Sequence, residues 1–380
     1  MSPSTTTGNY SAASTQYFTE DIGLQLRMKV SAFPSSSPHT PILVRDKFSR
    51  LISYNVTLAC IAGQQLSPED IPRGDSNRET VEDLRLDATQ RTALDKAMKA
   101  RDYARAEKLL VEEIEHNPQP HALLTFLGGV FFLDGKYLNS VIAMKRADKL
   151  LPLDDRNRFT LALDYIILKH RDWARPELEK LNRSDPRNPL YVYWLGRLEY
   201  ESMQFTDAAT NLRKALILDP AFMKAYDNLG LTYEALGQYD DAVRVYQPAV
   251  SLNCQQKPPS AWPPLNLGTL LVKLERFPEA ERYLNESLRY NARFPKGHYQ
   301  LGLLLEREKK DNEAVLELTQ AAKLDPSYAE PHYVLGSIYQ PAGDKTKAET
   351  EWQLFQNLRK DISSDVNIKL APVLPLSLCR

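Results

Sequence analysis

Histidine is the residue type whose spacing in this chain first suggests chemistry. His298 and His332 are 34 residues apart, and the same separation recurs elsewhere in the sequence. Equivalent positions on neighbouring helices lie about 8–10 Å apart, which is too far for two imidazoles to share one metal ion. We therefore predict that both histidines pack at the seam between repeated elements, and we predict no metal site and no cofactor.

No other set of residues has the spacing of a catalytic site. The sequence contains no glycine-rich phosphate loop, no HExxH, no paired CxxC and no GxSxG motif. Its three cysteines, Cys60, Cys254 and Cys379, fit neither a zinc site nor a disulfide framework. We predict no catalytic residues and expect that the chain is not an enzyme.

The charge balance limits the class of partner. The 380 residues include 48 Lys and Arg against 49 Asp and Glu, which gives a net charge of −1. Nucleic acids and anionic membrane surfaces require a basic excess, so we predict that neither is the main partner. We also predict no transmembrane segment, because the apolar run at 51–63 is too short and too polar to cross a bilayer.

A period of 34 residues organises most of the chain. Prolines recur at this interval at Pro118, Pro152, Pro186 and Pro220. Glycines preceded by a large residue recur at intervals of 34, 38, 34 and 34, at Gly196, Gly230, Gly268, Gly302 and Gly336. The longer interval contains a four-residue insertion, KPPS at 257–260, which predicts a longer connection and a local perturbation there. Such a fixed period indicates stacked structural repeats.

Each repeat predicts two helices. When Met223 is taken as position 1, the residues at positions 4, 7, 8 and 11 share one face of a first helix, and those at 20, 24 and 27 share one face of a second. Glycine at position 8 and alanine at position 20 allow the two helices to approach closely. Proline at position 32 excludes helical conformation from the preceding residue, so the second helix must end there.

This pattern resembles the tetratricopeptide repeat family. The resemblance implies an all-α fold, a right-handed superhelical solenoid of about eight helix-turn-helix units, over residues 87–362. The units run 87–120, 121–154, 155–188, 189–222, 223–256, 261–294, 295–328 and 329–362. Leu94 stands at position 8 of the first unit, where the family has a small residue, so this unit is expected to be a degenerate cap.

The two ends of the chain lack the repeat. Residues 1–86 are rich in Ser, Thr and Pro, and we expect them to be mostly disordered. The run LISYNVTLACIAG at 51–63 follows basic residues in the order of a secretory signal, and the alternative is an apolar segment that packs on the first repeat. Residues 363–380 are predicted to form an extended tail, because Pro372 and Pro375 interrupt its apolar run.

The resemblance also implies that positions 2, 5, 6, 9, 12 and 13 of the first helices face a partner-binding groove. Aromatic and arginine side chains anchor peptide interfaces, and the predicted groove contains several of them. The residues predicted for the groove are Phe132, Phe159, Tyr193, Trp194, Arg197, Tyr200, Asn228, Trp262, Asn266, Tyr299 and Tyr333. The alternative for each ring is packing between adjacent first helices.

The predicted function is a protein-protein interaction scaffold that binds an extended peptide or a partner helix in this groove. A chaperone-tail clamp is not expected, because no repeat has Lys at position 5 or Asn at position 9. Asn228 and Asn266 share position 6, which resembles two rungs of the asparagine ladder of sugar-transferase repeats. The alternatives are an exported bacterial envelope or lipoprotein-type factor and a regulatory subunit of an enzyme complex. A cytoplasmic location is favoured over an exported, periplasmic one, and homo-oligomerisation is left open.

Overall fold

The structure is a computed structural model, and it describes residues 44–45, 51–52, 81 and 84–364. Two short strands, β1 (Val44–Arg45) and β2 (Leu51–Ile52), pair antiparallel, with Val44 opposite Ile52. Apart from Leu51 and Ile52, the apolar run at 51–63 lies outside the described residues, as does the tail from 365 onwards.

Every longer element in the described residues is a helix. The sixteen helices are α1 (Ala88–Lys99), α2 (Tyr103–His116), α3 (His121–Leu133), α4 (Tyr137–Leu150), α5 (Asp155–Ile167), α6 (Arg171–Ser184), α7 (Pro189–Glu201), α8 (Phe205–Leu218), α9 (Met223–Ala235), α10 (Tyr239–Asn253), α11 (Trp262–Lys273), α12 (Phe277–Tyr290), α13 (Pro295–Arg307), α14 (Asp311–Leu324), α15 (Glu330–Tyr339) and α16 (Lys345–Ser364). None of these helices is long and apolar enough to cross a membrane. Consecutive helices pack as eight antiparallel pairs, which confirms the predicted all-α repeat fold.

The helices belong to two compact modules. The N-terminal module contains α1–α6 within residues 84–184, and the C-terminal module contains α7–α16 within residues 185–364. In both modules each helix packs on the next one along the chain. First helices of neighbouring pairs also contact one another, as α3 does with α5 and α9 does with α11. The first helices therefore form one continuous face in each module.

The same backbone geometry joins the two helices of each described pair. Position 15 has a positive φ in all eight described pairs, and it is glycine in three of them, such as Gly237 with φ 73°. The amides that follow donate to the last carbonyls of the first helix, as Gln238 N does to Tyr233 O at 2.8 Å. This is the hydrogen-bond pattern of a helix that ends in a left-handed residue.

Close contact between the helices of a pair explains the glycines at position 8. A Cβ on Gly196 would lie 2.9 Å from Leu212 Cγ and 3.3 Å from the carbonyl oxygen of Ala208, at position 20. A Cβ on Gly302 would lie 2.7 Å from Leu318 Cγ. Positions 8, 20 and 24 therefore meet at the helix crossing, as the sequence predicts.

Candidate functional site

A cavity opens on the first helices of the N-terminal module. Its volume is about 130 Å³, and it lies between α1, α3 and the start of α5. The residues that line it are Met98, Thr125, Phe126, Gly129, Val130, Phe132, Leu133, Asp154, Arg156, Asn157 and Thr160.

The lining residues coincide with the positions that the family resemblance assigns to the groove. Thr125, Phe126, Gly129, Phe132 and Leu133 occupy positions 5, 6, 9, 12 and 13 of the second repeat. A Cβ built on Gly129 would meet no atom within 4 Å, so the cavity wall is open at this residue. This surface is thus accessible to the side chain of another molecule.

Most polar groups that line the cavity already have partners inside the protein. The Thr125 hydroxyl donates to Ala122 O at 2.9 Å, and the Thr160 hydroxyl donates to Arg156 O at 3.1 Å. The Asp154 carboxylate caps α5 by accepting from Asn157 N at 2.7 Å. Arg156 is exposed and forms no ion pair among the described residues. The cavity therefore combines an apolar floor with a polar rim, where the Asp154 carboxylate serves as a helix cap and the Arg156 guanidinium forms no ion pair among the described residues.

The aromatic residues predicted for the groove are mainly buried. Tyr193 and Trp194 are fully buried on α7 and meet edge to face at 5.6 Å, and Phe222 packs on Tyr193 at 4.7 Å. The guanidinium of Arg197 lies 4.6 Å from the centre of the Trp194 ring. Tyr193 thus contacts Phe222, the N-cap residue of α9. All three predicted residues are buried, so their own surface is not available to a partner.

The remaining predicted rings divide between the core and the surface. Phe159, Tyr200 and Tyr299 are buried, whereas Phe132 and Trp262 are partly exposed. Trp262 packs edge to face with Phe294 at 5.0 Å, and Lys296 Nζ lies 4.8 Å from the centre of its ring. Tyr333 is 43% exposed and packs on Phe355 at 5.3 Å. Phe132, Trp262 and Tyr333 are thus the predicted rings with surface that a partner can contact.

The two asparagines at position 6 bond to neighbouring repeats. Asn228 Nδ2 donates to Lys224 O at 2.8 Å and to the Tyr193 hydroxyl at 3.2 Å. Asn266 Nδ2 donates to Asp227 Oδ1 at 2.9 Å. Both side chains are buried, and their amide donors cross-link first helices of successive repeats.

A partly buried carboxyl group that the sequence did not indicate lies beside this network. The Tyr246 hydroxyl donates to Glu234 Oε1 at 2.7 Å. Burial raises the pKa of Glu234 to about 7, although the Tyr246 hydrogen bond and the nearby Lys273 ammonium act in the opposite direction. The one sign of this site in the sequence is Tyr246 itself. It places a hydroxyl at position 24, where the repeats on either side have leucine.

The histidines at position 4 contact carboxylates within their own repeats. His298 Nδ1 lies 2.6 Å from Glu317 Oε2, and His332 Nδ1 lies 2.6 Å from Glu351 Oε2. The Glu317 hydrogen bond raises the pKa of His298 above its ordinary value. Among the described residues, no group of three or more His, Cys, Asp or Glu side chains is arranged to hold a metal ion.

Comparisons with known proteins agree with the repeat geometry. A model of the tetratricopeptide repeat matches residues 92–155, 195–261 and 265–329, which together make up just over half of the chain. No curated protein sequence matches.

Solved structures are similar to the chain at low sequence identity. A chain of the APC/C hetero-tetramer Cut9-Hcn1 has a TM-score of 0.54 and 16% identity, over 68% of this chain and 50% of that one. YrrB, described as a TPR protein with an unusual peptide-binding site, has a TM-score of 0.39 and 22% identity, over 51% of this chain and 98% of its own. PilW, a type IV pilus biogenesis factor, has a TM-score of 0.48 and 18% identity, over 57% and 95%.

The likeness to Cut9-Hcn1 concerns the fold alone, whereas the family model identifies the repeats themselves. The segments that the family model matches include the glycines at position 8 from Gly196 to Gly302. These glycines face the residues at position 24 where the two helices of a pair cross. The chain belongs to the tetratricopeptide repeat family.

Proposed function

We propose that this protein is an interaction scaffold that binds an extended peptide or a partner helix on the face that the first helices form within each module. The observation that carries the proposal is the cavity on α3. Its lining residues occupy the groove positions of the second repeat, and its open wall at Gly129 admits a side chain from outside.

The proposed contact surface uses the predicted groove residues in two ways. Phe132, Trp262 and Tyr333 offer exposed ring surface, and aromatic rings anchor interfaces because they bury a large rigid area. The buried members support the shape of the face from beneath: Phe159, Tyr193, Trp194, Arg197, Tyr200, Asn228, Asn266 and Tyr299. The proposal includes no catalytic role, since repeat scaffolds act by binding.

An affinity-capture experiment with matched surface variants tests the proposal. We expect Phe132→Ala, Trp262→Ala and Tyr333→Ala to reduce capture of the partners that the wild-type chain retains. Ile217 and Leu316 are 79% and 70% exposed on second helices, so Ile217→Ala and Leu316→Ala serve as controls of similar character on the other helix layer. Circular dichroism confirms that each variant remains helical.

Two outcomes would contradict the proposal. Partners could be retained equally by all the first-helix variants, or they could be lost only in the Ile217 and Leu316 controls. The exported envelope alternative depends on residues 51–63, and mass spectrometry of the mature N-terminus would test it separately. The regulatory-subunit alternative uses the same face and differs only in the identity of the partner.

A further inference from the structure

The cavity on α3 has the features of a specific subsite. We propose that it receives one side chain of the size of leucine or methionine from a partner peptide, and that a carboxylate of the same peptide pairs with Arg156. This inference rests on the proposed scaffold function, and it adds the chemical class of the partner.

The size and lining of the cavity fit a single apolar side chain. Its volume of about 130 Å³ is close to the ~150 Å³ of an engineered apolar cavity that accepts benzene. Met98, Phe126, Val130 and Phe132 line it with apolar surface, and Leu133 at its edge is 49% exposed. An aliphatic side chain that enters would bury its own surface and part of Leu133, and this burial favours binding.

Gly129 is the residue that keeps the cavity open. Its neighbour Gly128 is required for packing, because a Cβ there would lie 2.8 Å from Met144 Cε. Gly129 has no such constraint, since nothing lies within 4 Å of its Cβ position and its φ is not positive. Glycine inside a helix costs about 1 kcal/mol relative to alanine. No packing contact inside the protein accounts for a glycine at position 129. The space that a partner side chain needs in order to enter the cavity does account for it.

The charge at the rim specifies the second feature of the partner. Asp154 is occupied as the cap of α5, where it accepts hydrogen bonds from the backbone and side-chain nitrogens of Asn157 at 2.7 and 3.1 Å. Arg156 lies in the first turn of the same helix, is exposed and has no ion pair among the described residues. The N-terminus of α5 is already occupied by the Asp154 cap and by Asp155 in the first turn. The guanidinium of Arg156 is therefore the group that selects the partner, and its complement is a carboxylate.

Methyl NMR on the full-length chain can test this assignment directly. The chain has six methionines, of which Met98 lines the cavity and Met144 is buried beneath Gly128, so the two methyl groups report the site and an internal reference. The probe is a blocked hexapeptide of glycine and serine with Leu-Glu at its centre. Three further peptides replace Leu by Ala, replace Glu by Gln, or end in Leu with a free α-carboxylate and no Glu.

We expect the Leu-Glu peptide to shift the Met98 methyl signal and to leave the Met144 signal in place. The alanine peptide should bind at least about tenfold more weakly, which is typical for methylene groups removed from an apolar pocket. The glutamine peptide should bind about two- to fivefold more weakly, as for an exposed ion pair. Comparison with the peptide that ends in Leu distinguishes a side-chain carboxylate from a chain terminus.

Two substitutions complete the test. Gly129→Trp should fill the cavity and abolish the Met98 response, and Gly129→Ala controls for folding because its Cβ meets open space. Arg156→Gln should remove the discrimination between Glu and Gln peptides and keep that between Leu and Ala.

The inference is overturned if the Met98 signal does not respond to any peptide, or if Gly129→Trp binds the Leu-Glu peptide as the wild type does. If the Met98 signal does not respond while Trp262→Ala and Tyr333→Ala still lose their captured partners, the subsite is wrong and the scaffold function stands.

Discussion

The side chain of Asn253 holds both backbone polar groups of Ser260. Asn253 Nδ2 donates to Ser260 O at 2.7 Å, and Asn253 Oδ1 accepts from Ser260 N at 2.8 Å. These bonds close the connection that contains the KPPS insertion at 257–260. In five other repeats the residue at position 31 closes a shorter turn by accepting from the amide two residues later, as Asp219 does from Ala221 N at 2.9 Å. The longer connection therefore keeps the same closing residue.

Asn253→Ala should destabilise the C-terminal module. Asn253 is fully buried, so its loss leaves two backbone groups of Ser260 without their partners, at a cost of about 2–3 kcal/mol. Asn291→Ala is the matched control at position 31, because Asn291 is exposed and accepts only from Arg293 N at 3.0 Å. We expect that variant to cost about 1 kcal/mol or less, because it loses a single exposed hydrogen bond. Urea unfolding followed by circular dichroism measures both, and equal effects would contradict the proposed role of Asn253.

Gly230→Ala should be among the most damaging of the single-methyl additions. A Cβ on Gly230 would overlap the ring of Tyr246, which cannot retreat because it is fully buried. Overpacking of this kind costs about 1–3 kcal/mol. Gly129→Ala adds the same methyl group to open space and should be neutral or stabilising by up to about 1 kcal/mol. Thermal unfolding midpoints that shift equally in both variants would contradict this distinction.

The sequence predicts where helices start, stop and cross, because these features depend on local rules and on a regular period. Proline at position 32 ends α8 after Leu218, as the restriction on the preceding residue requires. The left-handed turn at position 15 could not be predicted in every repeat, since Arg101 and Met203 adopt a positive φ there without any glycine signal. The repeat context imposes that conformation.

The site was less predictable than the fold for a physical reason. The position in a repeat determines which face of a helix a side chain occupies, but burial depends on the neighbouring first helix. Tyr193 therefore falls in the core, although its position belongs to the groove face. The sequence also shows two adjacent glycines in α3 without showing that Gly128 faces Met144 and Gly129 faces open space.

Glu234→Gln should make the C-terminal module more stable at neutral and alkaline pH. Burial raises the pKa of Glu234 from its ordinary value of 4.5 to about 7. The folded state therefore binds more protons than the unfolded state in this range, and stability falls as pH rises from about 4.5 through about 7. Glutamine stays neutral and can still accept the Tyr246 hydroxyl. The gain should be on the order of 2 kcal/mol at about pH 8 and small near pH 4.5. If the urea midpoints of the wild type and the variant differed by the same amount at every pH, the raised pKa of Glu234 would not be the cause.

The contact between His298 and Glu317 should stabilise the fold mainly at acidic pH. The Glu317 hydrogen bond raises the pKa of His298 above its ordinary value of 6.5, against the effect of burial. The protonated imidazole is therefore favoured in the folded state, and its contribution is complete below about pH 6.5 and lost as pH rises through the raised value.

Glu317→Gln should remove this contribution, which is less than about 1 kcal/mol for a partly exposed pair. Thermal unfolding of the wild type and this variant should differ at about pH 5.5 and converge at about pH 9. Glu313→Gln is the control, because it removes an exposed charge from the same helix. Its difference from the wild type should not show this change between about pH 5.5 and about pH 9. If it did, general charge repulsion rather than the His298 contact would explain the effect.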